Sequence, residues 1–325
     1  MPIINVTESL RAGLQNELMD TWKKEGPVYE KQQAVLIRRL SYTNLRKAPY
    51  GFKESLPFPE RWDYGTTRKK QTFRDRVIYS SIHPYSLAIP WSRWDEVDDQ
   101  LGDLRSHVQQ ATRRFLQLPD ALYSEYFNGA ASLNPALVNA YDGVGIFSNV
   151  DGAGNPRFGA TGGNIVTGSG LSTAAVMHDM AVAQRRLLSF TDPTARKPLF
   201  SEDEVAFSKL VAIIPKELNE IFQKVTDQEF IRSDLTSVTA ESNYLKGTFE
   251  YRVNQYLTDP SDWYVVLNHN FYKPFIYRGP KGPETVIADM NNSDHARDTA
   301  EYAFYADIRV SLGVWFPASI IKIDS

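Results

Sequence analysis

Five histidines, His83, His107, His178, His269 and His295, are the side chains through which this cysteine-free chain would most readily bind a transition metal or run acid–base chemistry. Their spacing supports neither. No two stand at i, i+4, and no HExxH pattern occurs, so zinc chemistry has no framework. His178 precedes Asp179 in a helical stretch and reads as a surface pair. Ser169 would need glycine at 167 and 171 to form a nucleophile elbow, but those positions are Thr167 and Leu171. The Gly-rich stretch from Asp151 to Gly163 lacks the Gly-Lys-Ser/Thr ending of a phosphate loop. Around its start, Asn149, Asp151 and Asn155 lack the regular acidic ligands and terminal Glu of a calcium loop, which leaves turn chemistry. The most site-like cluster is His269, flanked by Asn268 and Asn270 and near Asp262, and a hydrogen-bonded turn explains it equally well. The expectation is no catalytic residue, no metal and no cofactor.

Such a chain must act through its surfaces. With 325 residues, 42% of them hydrophobic, it can bury a sizeable core in one large domain or two modest ones. A net charge of −3 gives no whole-molecule field toward nucleic acid, so electrostatic roles fall to local patches. The absence of cysteine excludes disulfides and fits a reducing compartment. The start, Met1 to Glu8, has no basic-then-apolar signal, and no apolar run approaches membrane-spanning length, so a soluble protein without a membrane partner is expected.

The first element reads as a helical arm. Thr7 can cap it, Leu10, Leu14, Leu18 and Trp22 repeat at i, i+4, and Gly26 with Pro27 is expected to end it. The stripe is narrow and fits either the arm's own domain or a neighbouring subunit. Between residues 46 and 94, Pro49, Pro57, Pro59, Pro84 and Pro90 exclude helix. Alternation at Phe73, Asp75, Val77, Tyr79 and at Tyr85, Leu87, Ile89, Trp91 predicts two limbs of a long hairpin that projects from the body. This segment is locally basic, with Arg61, Arg68, Lys69, Lys70, Arg74 and Arg76, but Glu60, Asp63 and Asp75 interrupt it and argue against a nucleic-acid stripe.

A long one-sided helix follows. Val97, Leu101, Leu104, Val108, Ala111, Phe115, Leu118 and Leu122 repeat every three or four residues, Ser92 can cap the start, and Pro119 is expected to kink or restart it. Near its start lie Asp95, Glu96, Asp98 and Asp99, opposite in sign to the preceding segment and candidates to receive its basic residues from another subunit. Asn128 and Gly129 close the helix. Then come the turn Asp142 Gly143, a helix capped by Ser172, a capping box of Ser201 with Glu204, the buried strand Leu210 to Ile214, and a helix opened by Pro215. The tail reads as strands at Tyr264 to Leu267, Phe271 to Tyr277 and Ala303 to Phe316. With no βαβ rhythm, the class is α+β.

These residues also carry a resemblance. The basic extended segment, the long helix, Asp142 Gly143 followed by Ile146 Phe147 Ser148, Gly162 Gly163 Asn164, Leu171 Ser172 with its helix, the strand before Pro215 and the closing Gly313 Val314 Trp315 resemble, in that order, the major capsid proteins of tailed phages, nearest to the Mu-like major head subunits. The resemblance implies the Hong Kong 97-like capsid fold: an N-terminal arm at 1–45, an extended loop at 46–94, a peripheral domain with the spine helix at 95–200 completed by 296–325, and an axial domain at 201–295. It further implies hexamers and pentamers of this chain, closed into an icosahedral head around double-stranded DNA that is contacted non-specifically. Portal, scaffold and decoration proteins are the other partners it implies. The virion would be its location, after assembly in the bacterial host cytoplasm. An encapsulin-like nanocompartment shell shares that fold and stays open as the alternative, as does a phage tail component.

Overall fold

The computed structural model describes residues 6–40, 47–53, 61, 62, 64, 67, 75–92, 94, 101–192, 197–232, 240–280, 282–288 and 293–325. Its frame is two long helices laid side by side, α1 (Val6–Gln33) and α2 (Leu101–Asn128). Leu14 and Leu18 of α1 are fully buried against α2, where Leu104, Val108, Ala111, Phe115 and Leu122 form the buried stripe. Each buried leucine contributes about 1.5–3 kcal/mol relative to exposure. The spacing foresaw both stripes and the end of α2 at Asn128, but not where α1 stops. α1 runs through Gly26 and Pro27 to Gln33, and α2 runs through Pro119 without restarting. In α1, tertiary contacts outweigh the bond Pro27 cannot make: Gly26 lies against Leu116, and Gln33 Nε2 donates to Leu116 O at 2.9 Å. Ser92 Oγ accepts from Trp94 N at 3.0 Å, while residues 95–100 lie outside the described residues, and Gly129 ends α2 with φ +66°.

A first sheet covers the inner side of this helix pair. It contains β1 (Ile37–Leu40), β4 (His83–Ser92), β11 (Phe275–Arg278), β12 (Glu284–Ala288) and β13 (Glu301–Val314). β13 pairs with β4 from Glu301 to Val310, with β12 from Ala303 to Asp307, and with β11 from Ser311 to Val314. One face carries Ile89, Trp91, Ile287, Phe304, Ala306 and Ile308 into the core shared with α2. The hairpin expectation is corrected here. The limb at Tyr85–Trp91 belongs to β4 and pairs with β13 in the body, because its partly buried face belongs to that core. The other limb, β3 (Asp75–Ser81), pairs instead with β2 (Lys47–Lys53) as a separate two-stranded ribbon.

The second sheet has the order β5 (Ile165–Thr167), β14 (Ile320–Asp324), β10 (Trp263–Leu267), β6 (Leu210–Ile214), β9 (Glu250–Val253). It is buried on both faces, which is why β6 and β10 read as unbroken apolar runs and not as alternation. Val211 and Ile213 face the core of the first sheet and α2. Leu210, Ala212 and Ile214 face α3 (Thr173–Ser189) and α4 (Asn219–Asp227), packing with Met180, Leu187 and Phe222. Ser172 caps α3 as expected, accepting from Ala175 N at 3.2 Å. The box at Ser201 is half formed: Glu204 takes the Ser201 N–H and hydroxyl, and only one 3-10 turn, Asp203–Val205, follows. Pro215 likewise leads first into a 3-10 turn, Lys216–Leu218, and then into α4. Phe271 is exposed and precedes β11, so that strand is shorter than its apolar run. A small ribbon, β7 (Phe230–Arg232) with β8 (Ala240–Ser242), completes the α+β fold.

Candidate assembly surfaces

The residues of the most site-like clusters have structural partners. Ser169 sits between the two groups that sequence placed on a helix surface. Its hydroxyl donates to Asp179 Oδ1 at 2.7 Å and lies 3.0 Å from His178 Nδ1, while its N–H donates to Asp179 Oδ2 at 2.8 Å. Asp179 is buried, not a surface residue, because it ties the chain at Ser169 to α3. A hydroxyl whose proton points at a carboxylate is held in place and is not activated by the imidazole. His269 stacks on Tyr272 at 4.6 Å and lies 3.7 Å from Glu204, whereas Asp262 pairs with Lys322 at 2.6 Å. Burial raises the Asp262 carboxyl above the ordinary range even with that lysine beside it. In the Gly-rich loop, Asp151 Oδ1 accepts from Ala153 N and Asn155 N, both at 2.9 Å, and these bonds lower its carboxyl from the usual value. It is an Asx-type turn, as the spacing implied. Among the described residues no group of three or more His, Cys, Asp or Glu could hold a metal ion.

The ordered motifs converge on one buried polar hub. Arg157, 1% exposed, donates from Nε to Asp142 Oδ2 at 2.6 Å, from Nη2 to Asp142 Oδ1 at 3.0 Å and from Nη1 to Ile146 O at 2.8 Å. Asn164, fully buried, donates to Ile146 O at 2.8 Å and to Pro317 O and Ile320 O at 3.2 Å, and accepts from Ser148 N at 3.0 Å. Phe147 between them stacks on Tyr264 at 5.2 Å, and Tyr264 stacks on Phe127 at 4.4 Å. The segment from Asp142 to Asn164 thereby fastens the end of α2 to β10 and to the turn before β14. Sequence reasoning missed Arg157; an isolated arginine in a Gly/Asn-rich loop gives no local sign of burial.

What remains exposed is apolar in places where a free-standing domain would be polar. An antiparallel sheet with one solvated face ordinarily alternates apolar-in with polar-out. Here the outer face of the first sheet presents Val286 opposite Tyr305, 59% and 38% exposed, with Ala88 beyond them. The next pair out is Glu284 opposite Asp307, two like charges directly across the ladder. The β2–β3 ribbon exposes Val77 and Tyr79, while its other face buries Ile78 and anchors through Ser80, whose hydroxyl donates to Leu312 O at 2.8 Å. Phe230 and Tyr244 are exposed at the β7–β8 ribbon. Two-stranded ribbons are marginal alone, and exposed aromatic and β-branched residues on them call for a partner surface.

Of the charged residues expected to dock subunits, Arg68, Lys69, Lys70, Arg74, Asp95, Glu96, Asp98 and Asp99 lie outside the described residues. Arg76 is described only in its backbone, in β3, paired with Phe52. The arm itself packs on its own spine helix. Gln109 Nε2 donates to Glu17 Oε1 at 2.6 Å, and Arg113 Nη2 and Nε donate to the two oxygens of Glu25 at 2.7 and 2.9 Å. The Arg113 guanidinium holds the Glu25 carboxyl below its ordinary value.

No family model and no curated protein matches the chain in sequence. Solved structures do match it over nearly its whole length. The capsid of an empty GTA particle is 13% identical with a TM-score of 0.58, covering 91% of this chain and 90% of that one. The mature capsid of bacteriophage PhiM1 is 8% identical with a TM-score of 0.51, covering 89% and 85%. The virus-like particle from Pyrococcus furiosus is 10% identical with a TM-score of 0.51, covering 96% and 98%. At such identities the likeness is one of fold: the chain has the α+β, Hong Kong 97-like fold of phage capsid subunits.

Proposed function

We propose that this chain is the major capsid protein of a tailed phage, assembling with itself as hexamers and pentamers into an icosahedral shell around double-stranded DNA. The observation that carries this is the near-complete, two-way coverage of shell subunits by a chain with ribbons and a sheet face that leave aromatic and β-branched residues in solvent. Neighbouring copies would cover these faces, with a summed interface area well above the roughly 1,600 Å² of a standard protein pair. On this reading residues 1–45 serve as the arm, 46–94 as the extended loop, 95–200 with 296–325 as the peripheral domain and 201–295 as the axial domain. The motif order supports the Mu-like branch. The protein acts as scaffold and not catalyst, which the hydrogen bonds that occupy Ser169 and Asp179 support. The virion is its destination, after assembly in the host cytoplasm, with portal, scaffold and decoration proteins as further partners.

Negative-stain microscopy of the purified protein, with light scattering, tests the assembly. Closed shells are expected; a persistently monomeric, cooperatively folded species would count against it. An encapsulin-like nanocompartment shell, which would share this fold, is the alternative reading. Nuclease-protected DNA inside particles from infected cells supports the phage head, and a co-purifying enzyme cargo without DNA supports the compartment.

A further inference from the structure

Three parts of the fold meet at Asp120. From α2, its Oδ2 accepts from Gln33 Nε2 at 3.1 Å, at the end of α1. Gln33 in turn accepts from Arg39 of β1 through Oε1, and Arg39 lies 3.8 Å from Glu30 of α1. One residue before Gln33, the Gln32 carbonyl accepts from Arg252 of β9. Asp120 also receives a hydrogen bond from Tyr123, one turn along α2. The end of the arm, the spine helix and the edge of the second sheet are therefore clipped together around a single carboxyl group. A cavity of about 570 Å³ opens at this joint, lined by Val35, Leu36, Asp120, Tyr123, Arg252 and Tyr256 among others.

This carboxyl has no ion-pair partner within 4.0 Å among the described residues. Arg39 and Arg252, the cations that face it from β1 and β9, are engaged with Gln33, Glu30, Gln32 and Glu250. Tyr123 faces it from α2, and Tyr256 lines the same cavity. Asp120 is itself half-buried, and for what is withdrawn from water two neutral donors and two guanidinium groups engaged elsewhere are left to compensate its charge.

We propose that Asp120 makes the docking of the arm responsive to pH: in its neutral form the joint between α1, β1 and α2 is tight, and in its ionised form the joint loosens. Burial raises the Asp120 carboxyl above its ordinary value, and the donors from Gln33 and Tyr123 only partly offset this. The sign follows from linkage. A carboxyl held higher in the folded joint than in the open chain contributes stability below its unfolded pKa, and that contribution is lost as pH rises through the folded value. The response falls in mild acid, above the ordinary aspartate range near 4.

The test is native-state hydrogen exchange on the intact subunit, with protection of residues 28–40 normalised to intrinsic exchange rates at each pH from about 4.5 to 7.5. Protection in the wild type should fall several-fold as pH rises. In Asp120→Asn it should be flat and, at pH 7, at least equal to the wild-type value in acid. A second variant, Gln33→Leu, removes a donor that favours the ionised form, so the midpoint of the fall should move to higher pH. This arm of the test holds whether or not the Asn variant folds. A wild type with no pH dependence here, the same slope in Asp120→Asn, or an unmoved midpoint in Gln33→Leu would overturn the proposal.

Discussion

Arg157 and Asp142 form a two-bond ion pair, Nε to Oδ2 at 2.6 Å and Nη2 to Oδ1 at 3.0 Å, inside a loop region otherwise rich in glycine and asparagine. Their 15-residue separation spans a chain segment that has little apolar surface of its own, so this pair and Asn164 supply much of what orders it.

Breaking the pair from one side should be severe. Arg157→Ala leaves the nearly buried Asp142 carboxylate without its partner and takes one of two donors from Ile146 O, at a cost of about 3–5 kcal/mol. Arg157→Lys should recover little of it, because an ammonium cannot serve Asp142 and Ile146 O with the same planar fork. Urea unfolding of soluble subunit measures both; a loss under 1 kcal/mol in Arg157→Ala would mean that the loop is ordered by other contacts.

Two glycines should respond in opposite directions. A methyl group at Gly26 in α1 would meet Leu116 Cδ2 at 3.7 Å, an ordinary contact, so Gly26→Ala should be neutral or stabilise by up to about 1 kcal/mol. At Gly163, with φ +51°, the same methyl would lie 2.1 Å from Ser148 O, and Gly163→Ala should cost about 1–3 kcal/mol from backbone strain alone. Melting temperatures of the pair check this, with a rise or no change for the first and a clear fall for the second.

Lys273 gives a pH prediction. It is buried, its Nζ donates to Asn268 Oδ1 at 3.0 Å, and desolvation followed by the nearby Arg252 brings its amine down to about 8. A lysine held lower in the folded state than in the unfolded chain weakens the fold wherever it must stay charged. Its contribution is therefore favourable above the unfolded value near 10.5 and is lost as pH falls toward 8. Stability should rise with pH across that window, and Lys273→Met should flatten the rise and be at least as stable as wild type at pH 7. Urea midpoints at pH 7, 8, 9 and 10 provide the readout.

The charged segments can be tested by reversal and rescue. Changing Arg68, Lys69, Lys70, Arg74 and Arg76 to Glu should leave the subunit folded but prevent shell formation, and Lys at Asp95, Glu96, Asp98 and Asp99 should restore it. Circular dichroism with particle counts by microscopy separates folding from assembly. Normal particles from the five-fold reversal would sink the proposed pairing.

Regular spacing was the most informative part of the sequence. The stripes of α1 and α2 were legible because Leu14, Leu18, Val108 and Phe115 repeat where one helical face must, and β6 was legible as a run of five apolar residues before proline. The end of α2 at Asn128 and Gly129 was legible too, but that of α1 was not, since Gly26 and Pro27 are local stop signals that the packing on Leu116 overrides. Strand partners were also hidden. The same alternation marks β3 and β4, and only the distant β13 decides that the two part company. The motif residues Asp142, Ile146, Ser148 and Asn164 were visible as an order along the chain; the reason for the order, Arg157, was not. Nor does alternation along β12 and β13 tell which face stays open, so Val286 and Tyr305 carried no surface signal.

β13 and β14 lie in the interior of their sheets, β13 between β4 on one side and β11 with β12 on the other, and β14 between β5 and β10. During synthesis, then, the first sheet cannot close until residue 314 has cleared the ribosome, nor the second until residue 324 has, because the strands that hold their neighbours together come late in the chain. Earlier strands wait as unpaired edges, the condition in which nascent chains aggregate or recruit chaperones. The same order of events times the product: no copy offers a finished surface to others until β14 has been made and has joined its sheet.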